Sequence, residues 1–458
     1  MATAKTRQVE PPLGHSLLRA SSCLVAALLA ASAGIGTAAT LSYEDARATL
    51  RAVSDRRKAD EAAVNKRDHE ARAADSLGLP NVFLNATQVN GIKTGNIPDT
   101  PLGTITFKEN FAGPRASINA TWSIYSGGRI SAAQRALAAG VDEARAELVR
   151  SEEQLDLQLA QAYFGLGLAE NVARTRTSIL QEADRQLDRA VRFEQQGLIP
   201  KVERLNAQVA RDEAAREQVR AQRDREIAQA RLQRFLHMEA SIEPSTPLFV
   251  TTGPIKPLPE WLAVAERDNP VLAALAARRE QAQQGIDSAQ SKWKPEVFAF
   301  GTYSFVKHYQ TLIEPDWATG IGVNFTLFSR EDRGSQVSAA RESVRQVQSL
   351  EAQARSDIYT AVESAYLKVE QAREQFNLLD SALGFAQENL RLRQRGFDEG
   401  QATTLDVNDA RNALARAETA RAATAFEFVV ALAQLLEVCG QARTLPDFVQ
   451  QGNVRLQP

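Results

Sequence analysis

The residues with the most chemical promise lie in one short turn, "GFDEGQATTLDVNDARNALA", from Gly396 to Ala415. Asp406 and Asp409 stand three apart there, which sets both carboxylates on one face of a helix. Acids in a first helical turn are also favoured by the positive end of the helix dipole. Thr403 with Asp406 resembles a capping box. Presenting charge and capping a helix are therefore both open to this pair. An earlier stretch, "FEQQGLIPKVERLNAQ" from Phe193 to Gln208, has nearly the same shape and carries Glu203. Gly197 and Gly400 lie 203 positions apart, as do Ala207 and Ala410. Both glycines read as caps closing a preceding helix, and Pro200 as the first residue of the next one.

Catalytic chemistry finds no such support. His15, His69, His237 and His308 are scattered, with no H-E-x-x-H spacing and no paired Cys/His ligands. Gly165 and Gly167 fall inside a helical pattern, so "GLGLAE" is not a phosphate loop. No nucleophile stands beside a base. The sequence points away from an enzyme, a metal site or a cofactor. A formal net charge of −2 over 458 residues gives no nucleic-acid surface.

The elements that must position the two turns follow from repetition and periodicity. Residues 1–39 read as a signal peptide: Lys5, Arg7 and Arg19, then the short apolar run "CLVAALLAA", then the small residues "GTAAT". Cys23 opens that run instead of following it, which argues against a lipoprotein anchor. Cleavage near Ala39 leaves Cys439 alone, so no disulfide within the chain is expected. With no apolar run of about 18 residues, no transmembrane helix is expected.

Beyond the leader the chain is a tandem repeat. "AYFGL" at 162–166 answers "AYLKV" at 365–369, and "IYSGGR" at 124–129 answers "LFSRED" at 327–332, at the offset of 203 shared by the turns. "LPNVF" at 79–83 answers "KPEVF" at 294–298 at a longer offset, so the first copy carries an insertion, expected in a loop. The copies are set at 40–243 and 260–440, with a Pro-rich extended linker at 244–259 and a tail at 441–458.

Each copy shows a helix, two strands, a long helix, the turn and a shorter helix. From Ile358 through Val362, Ala365, Val369, Ala372 and Phe376 to Leu390, apolar residues step by alternate fours and threes, a heptad seam. The long helices, Ser131–Gln196 and Ser335–Glu399, should reach about 100 Å at about 1.5 Å per residue. Lys201–Met238 and the stretch 41–79 are about half as long, so two half-length helices stacked end to end should flank each long one. "RASINATWSIY" (115–125) and "TGIGVNFTLF" (319–328) alternate apolar and polar residues, with "NVFLNATQ" (81–88) and "VFAFGTYSF" (297–305) as partners. Lengths near 9–11 residues suit tilted membrane strands, and a soluble sandwich has the same alternation. Four strands cannot close a membrane barrel, so barrel strands would require several chains to share one.

In the order, spacing and doubling of these motifs the mature chain resembles, over nearly its whole length, the TolC family of Gram-negative outer-membrane channels. The features that carry the resemblance are the duplication, the "LP…V" strand start at 79–82, the "IYSGGR" junction and the turn pattern G-x-x-[small]-x-x-[acid]-x-x-x-A at 197–207 and 400–410. The resemblance implies a mainly α fold with a small β part: a homotrimer of tandem-repeat protomers sharing a 12-stranded barrel in the outer-membrane lipid, continued by an α-helical cylinder across the periplasm. It implies docking to a periplasmic adaptor and an inner-membrane ABC or other pump, for type I protein secretion or for multidrug efflux. The unlipidated leader and the short tail favour secretion; a secreted coiled-coil scaffold is the remaining alternative. By the same resemblance Asp406 and Asp409 form the periplasmic constriction, where crowded carboxylates should attract cations and raise some of their own pKa values. Glu203 is the acid that bonds across to hold the gate. Gly197, Pro200, Gly400, Thr403 and Thr404 shape the turns that meet the adaptor. The family's tyrosine and arginine latches fall on Phe397 and Ala402, which lack the hydroxyl and the guanidinium. A latch built from Lys201, Arg204 or Arg395 is the substitute expected.

Overall fold

The protein is described by a computed structural model at residues 39–101, 103–307 and 315–456. The leader expected at 1–39 lies outside them except for Ala39, and most of the second hairpin tip lies outside them too.

After a short strand β1 (Ala39–Leu41) come helices α1 (Tyr43–Val53) and α2 (Asp55–Asp75). The sequence pattern predicts a single helix here. Ser54 divides it: its backbone N–H closes α1 on Leu50, and its side chain accepts from Arg57 N to start α2. Strands β2 (Asn81–Thr100) and β3 (Gly103–Tyr125) lead to α3 (Arg129–Gln195), which returns through the first turn as α4 (Lys201–Phe235). Strands β4 (Ile242–Pro244) and β5 (Leu248–Val250) precede α5 (Leu258–Asp268) and α6 (Pro270–Ser291). Then follow β6 (Glu296–Lys307), β7 (Trp317–Asn324), α7 (Arg333–Asp398), the second turn and α8 (Thr404–Val438). The chain ends in α9 (Leu445–Gln451) and β8 (Val454–Leu456).

The helices form one layer. α2 and α4 flank α3, whose other side meets α6 and α8, and these in turn flank α7. Half-length pairs thus alternate with helices of 67 and 66 residues, each about 100 Å long. The heptad seam of α7 is buried from Ile358 through Phe376. Below Phe376 the seam residues are only half-buried. α8 contains a window of mean hydropathy 1.3, apolar enough by composition to cross a bilayer. That apolarity faces inward: Phe428, Val429, Leu432, Leu435 and Leu436 are all fully buried in the protein core.

The sheet is antiparallel throughout, in the order β2-β3-β6-β7. Register places Leu84 beside Ile118, Ile118 beside Tyr303, Trp122 beside Ala299, and Ala299 beside Ile321. One face is therefore apolar and open: Ile321 and Val323 are 72% and 66% exposed. The other face carries Ser117, Asn119 and Thr302, joined by Asn119 Nδ2 donating to Ser117 Oγ and Thr302 Oγ1 donating to Asn119 Oδ1. Phe298 and Phe300 also lie on that face, directly over Gly322 and Gly320, where a Cβ would stand 2.4 Å and 2.9 Å from the rings.

Two expectations about the strands are corrected. The insertion in the first copy is not a loop, because β2 and β3 stay paired out to Ile97 and Ile105. The added stretch mixes apolar and polar residues, with Val89 among glycines on one face and Ile92 among Asn90, Thr94 and Asn96 on the other, so the backbone ladder continues without a clean hydrophobic period to announce it. β7 ends at Asn324 and not at Phe328, since its partner β6 begins at Glu296, just after Pro295. Leu327 and Phe328 project beyond the sheet, 88% and 87% exposed.

A girdle surrounds the middle of the long helices. The stretch expected as an extended linker contributes β5, which pairs antiparallel with β8 from the tail. β1 pairs in parallel with β4. Tyr43, Tyr163 and Phe164 pack ring to ring at 5.2–5.6 Å, and Phe249 joins them to Phe428. Tyr163 Oη donates to Leu41 O at 2.6 Å and accepts from Thr246 N at 2.9 Å. Beside the rings, Asp156 accepts from Arg47 Nη2 at 2.6 Å and Nε at 2.9 Å. Glu153 accepts from the backbone N–H of Ala442 at 2.6 Å. Burial pushes the Glu153 carboxyl up to about 7, against that hydrogen bond and with help from Asp156.

Candidate functional site

Both turns close in the same way. At the first, Leu198 N donates to Phe193 O and Gly197 N to Glu194 O, each at 2.9 Å. At the second, Gln401 N donates to Gly396 O at 2.7 Å and Gly400 N to Phe397 O at 3.0 Å. This paired pattern needs a left-handed residue, and Gly197 and Gly400 supply it at φ 76° and 74°.

The restart differs between the copies. Thr403 caps α8 through a full capping box: its Oγ1 accepts from Asp406 N, and Asp406 Oδ2 accepts from Thr403 N at 2.9 Å. Pro200 sits at the N-cap of α4, one place earlier than expected, with an extended ψ of 155° and no side-chain acceptor to offer. Glu203, in the first turn of α4, reaches over to α8, where its Oε2 accepts from Thr404 N at 3.2 Å. Thr404 is fully buried. An acid of the first copy thus satisfies a free N–H at the start of the second copy's helix.

The two aspartates have different surroundings. Asp406 also accepts from Thr403 Oγ1 at 2.8 Å, and its other oxygen meets Arg393 Nη1 at 3.3 Å. The Thr403 backbone N–H and hydroxyl, with Arg393 beyond them, hold its carboxyl below the usual range within the single chain. Asp409, one turn on, is exposed and takes no partner among the described residues. Both capping and charge presentation are therefore present, but divided: the first belongs to Asp406 within the chain, and the second is left to Asp409.

The latch positions hold apolar contacts. Phe397 is buried and stacks on Phe193 with ring centres 6.1 Å apart and planes 24° apart, joining the two long helices just before their turns. Ala402 folds back so that its N–H meets Gly396 O at 3.1 Å. Arg204 pairs with Glu194 at 2.5 Å and Arg395 with Glu399 at 2.9 Å, each within its own copy. Lys201 is exposed.

Sequence reasoning missed Phe193 and Arg393. A signal for Arg393 was present, because residues equidistant from the turn face each other in a helical hairpin. Arg393 and Asp406 lie seven before and six after Gly400. The pairs Asp184–Arg211 and Asp380–Arg421 obey the same mirror rule.

Known proteins share this plan. The family model described as "Outer membrane efflux protein" matches the chain twice, at residues 56–236 and 261–441. Protein CyaE of Bordetella pertussis is 26% identical over 268 residues, a match spanning 56% of this chain and 56% of CyaE, a little over half of each. The outer membrane protein VceC of Vibrio cholerae superposes with a TM-score of 0.72 at 16% identity, covering 87% of this chain and 96% of that one. The open state of the MtrE outer membrane channel of Neisseria gonorrhoeae gives 0.71 at 18% identity, covering 87% and 89%. With the doubled match added to a sheet bearing one exposed apolar face and a long helical layer, the chain belongs to the outer membrane efflux protein family, a family of the outer membrane.

Proposed function

We propose that three copies of this chain join edge to edge, β7 of one copy to β2 of the next, into a 12-stranded barrel, and that their helical layers close beneath it as a tube. The observation that carries this reading is the sheet itself. It has two unpaired edges, an apolar face open to the outside and only four strands, and edges of that kind demand a partner. The helical layer has matching open borders: Leu378 and Phe385 on α7 are 72% and 77% exposed, and Val209 and Ile227 on α4 are each 67% exposed.

The turns form the periplasmic end of the tube. Asp409 carboxylates ring the lumen there, with Asp406 beside each and Glu203 tying the two turns of each copy together. Gly197, Pro200, Gly400, Thr403 and Thr404 shape the surface that meets a periplasmic adaptor, which couples the duct to an inner-membrane pump. The cargo is protein exported by type I secretion, a reading supported by Cys23 at the start of its apolar run instead of at a lipidation position. Multidrug efflux is the second reading, favoured by the description of the family.

Deleting the gene separates them. Loss of a large secreted protein from the culture supernatant, with drug and detergent susceptibility unchanged, is the expected result. Broad sensitivity with a normal supernatant would instead establish efflux.

A further inference from the structure

Above the turns, α3, α4 and α8 border a cleft of about 280 Å³ walled by Ile179, Ala183, Ala210 and Ala214; Glu213 and Glu217 of α4 also line it, each paired with Arg216. Arg411 of α8 lines it and is only 5% exposed. Its Nη1 donates to Asn408 Oδ1 at 3.4 Å. Its Nε and Nη2 have no hydrogen-bond acceptor. The nearest carboxylate, Glu182, stands 3.7 Å from Nη2 and is already shared with Arg185 and with Arg189, the latter at 3.5 Å. Gln186 Nε2 and Arg189 Nε, close by, are likewise buried without acceptors. Three guanidinium groups therefore surround one carboxylate, and the unsatisfied atoms of the cluster are all donors. Leaving a buried donor unpaired is costly, and more so for a charged group. Burial pulls the Arg411 pKa below its ordinary value; Glu182 opposes this, and Arg189 and Arg185 add to it.

Nε and Nη2 form one edge of a guanidinium fork, the shape that grips two oxygens of one anion. We propose that this cleft binds an oxyanion, a phosphate, sulfate or carboxylate group, on that edge of Arg411. Asn412 and Arg416, also at the cleft, continue the helical stripe of Asp409 at i+3 and i+7. If the duct reading holds, the anion sits about half a turn along α8 from the carboxylate ring and offsets the positive charge of the arginine cluster there. The binding site itself stands on the cleft alone.

The test uses the full chain purified in detergent, with inorganic phosphate, sulfate and a short poly-glutamate peptide as probes, each compared with chloride at equal ionic strength. Calorimetric titration and thermal unfolding are the readouts, so a failure of transport cannot be mistaken for a failure of binding. Saturable binding of phosphate or sulfate, weakened about ten- to a hundredfold in Arg411→Met, is expected for a small-ion site. Binding of the peptide alone, with the same loss, would also support the proposal and identify the source as a polypeptide carboxylate. Asn408→Asp supplies a carboxylate beside Arg411 from within the chain, and should raise the unfolding temperature and abolish the response to added anion. No binding by any probe, or binding unchanged in both variants, overturns the proposal.

Discussion

The girdle and the turns solve the same problem, joining two copies of a helical hairpin, by opposite means. In the girdle, segments from both ends of the chain interlock, aromatic rings are fully buried, and two carboxylates are held inside by Arg47 and by a backbone N–H. At the turns the directional contacts between the copies, among the described residues, are few: Phe193 stacks on Phe397 and Thr404 N donates to Glu203. Local caps do the rest. A region held by desolvated contacts stays fixed, while one held by caps and a few exposed bonds opens at low cost. The difference places the firmly held collar at the middle of the long helices and the yielding part at the turns.

Breaking the collar should have the largest effect. Asp156→Ala leaves Arg47 without its buried partner and should destabilise the protein by about 3–5 kcal/mol, read from denaturant unfolding. A loss below about 1 kcal/mol, the usual worth of an exposed pair, would erase the distinction between the two regions.

A pH series sharpens the contrast. The folded Glu153 titrates near 7, above its unfolded value of 4.5, so the folded state binds more protons between those limits. Its contribution is fully present below about pH 4.5 and is lost as pH rises through about 7. Glu153→Gln should flatten that decline and exceed the parent in stability at pH 8. Asp406 has the opposite sign: its contribution is present above the unfolded carboxylate pKa and is lost as pH falls through its lowered folded value. Collar and turns should therefore respond to acid in opposite directions.

The division of labour at the turn predicts unequal effects on conduction. In planar bilayers Asp409→Asn should weaken cation selectivity and block by multivalent cations more than Asp406→Asn does, because Asp406 is already engaged by Thr403 and Arg393. Unchanged behaviour in a variant with both substituted would remove the constriction from this turn. The smallest effect is expected from Thr403→Ala, about 1 kcal/mol, as loss of one exposed cap. A loss as large as that of Asp156→Ala would show the turn to be as tightly held as the collar.

Much of this architecture is legible in the amino-acid sequence. The doubled turn, the heptad seam of α7 and the alternation of β3 and β7 are local patterns of period 3.5 or 2, and the folded chain follows them. The capping box at Thr403 and the left-handed glycines were legible because they depend on residues only a few positions apart. Tertiary structure alone decided that Leu248–Val250 would pair with Val454–Leu456, since strands of three residues carry no period and their partners lie at opposite ends of the second copy. It alone brought Thr404 to Glu203 and Phe193 to Phe397, and it enclosed Arg411 beside Arg185, Arg189 and Glu182 of the other copy. Periodicity and caps are written along one segment, whereas burial depends on which other segments arrive beside it.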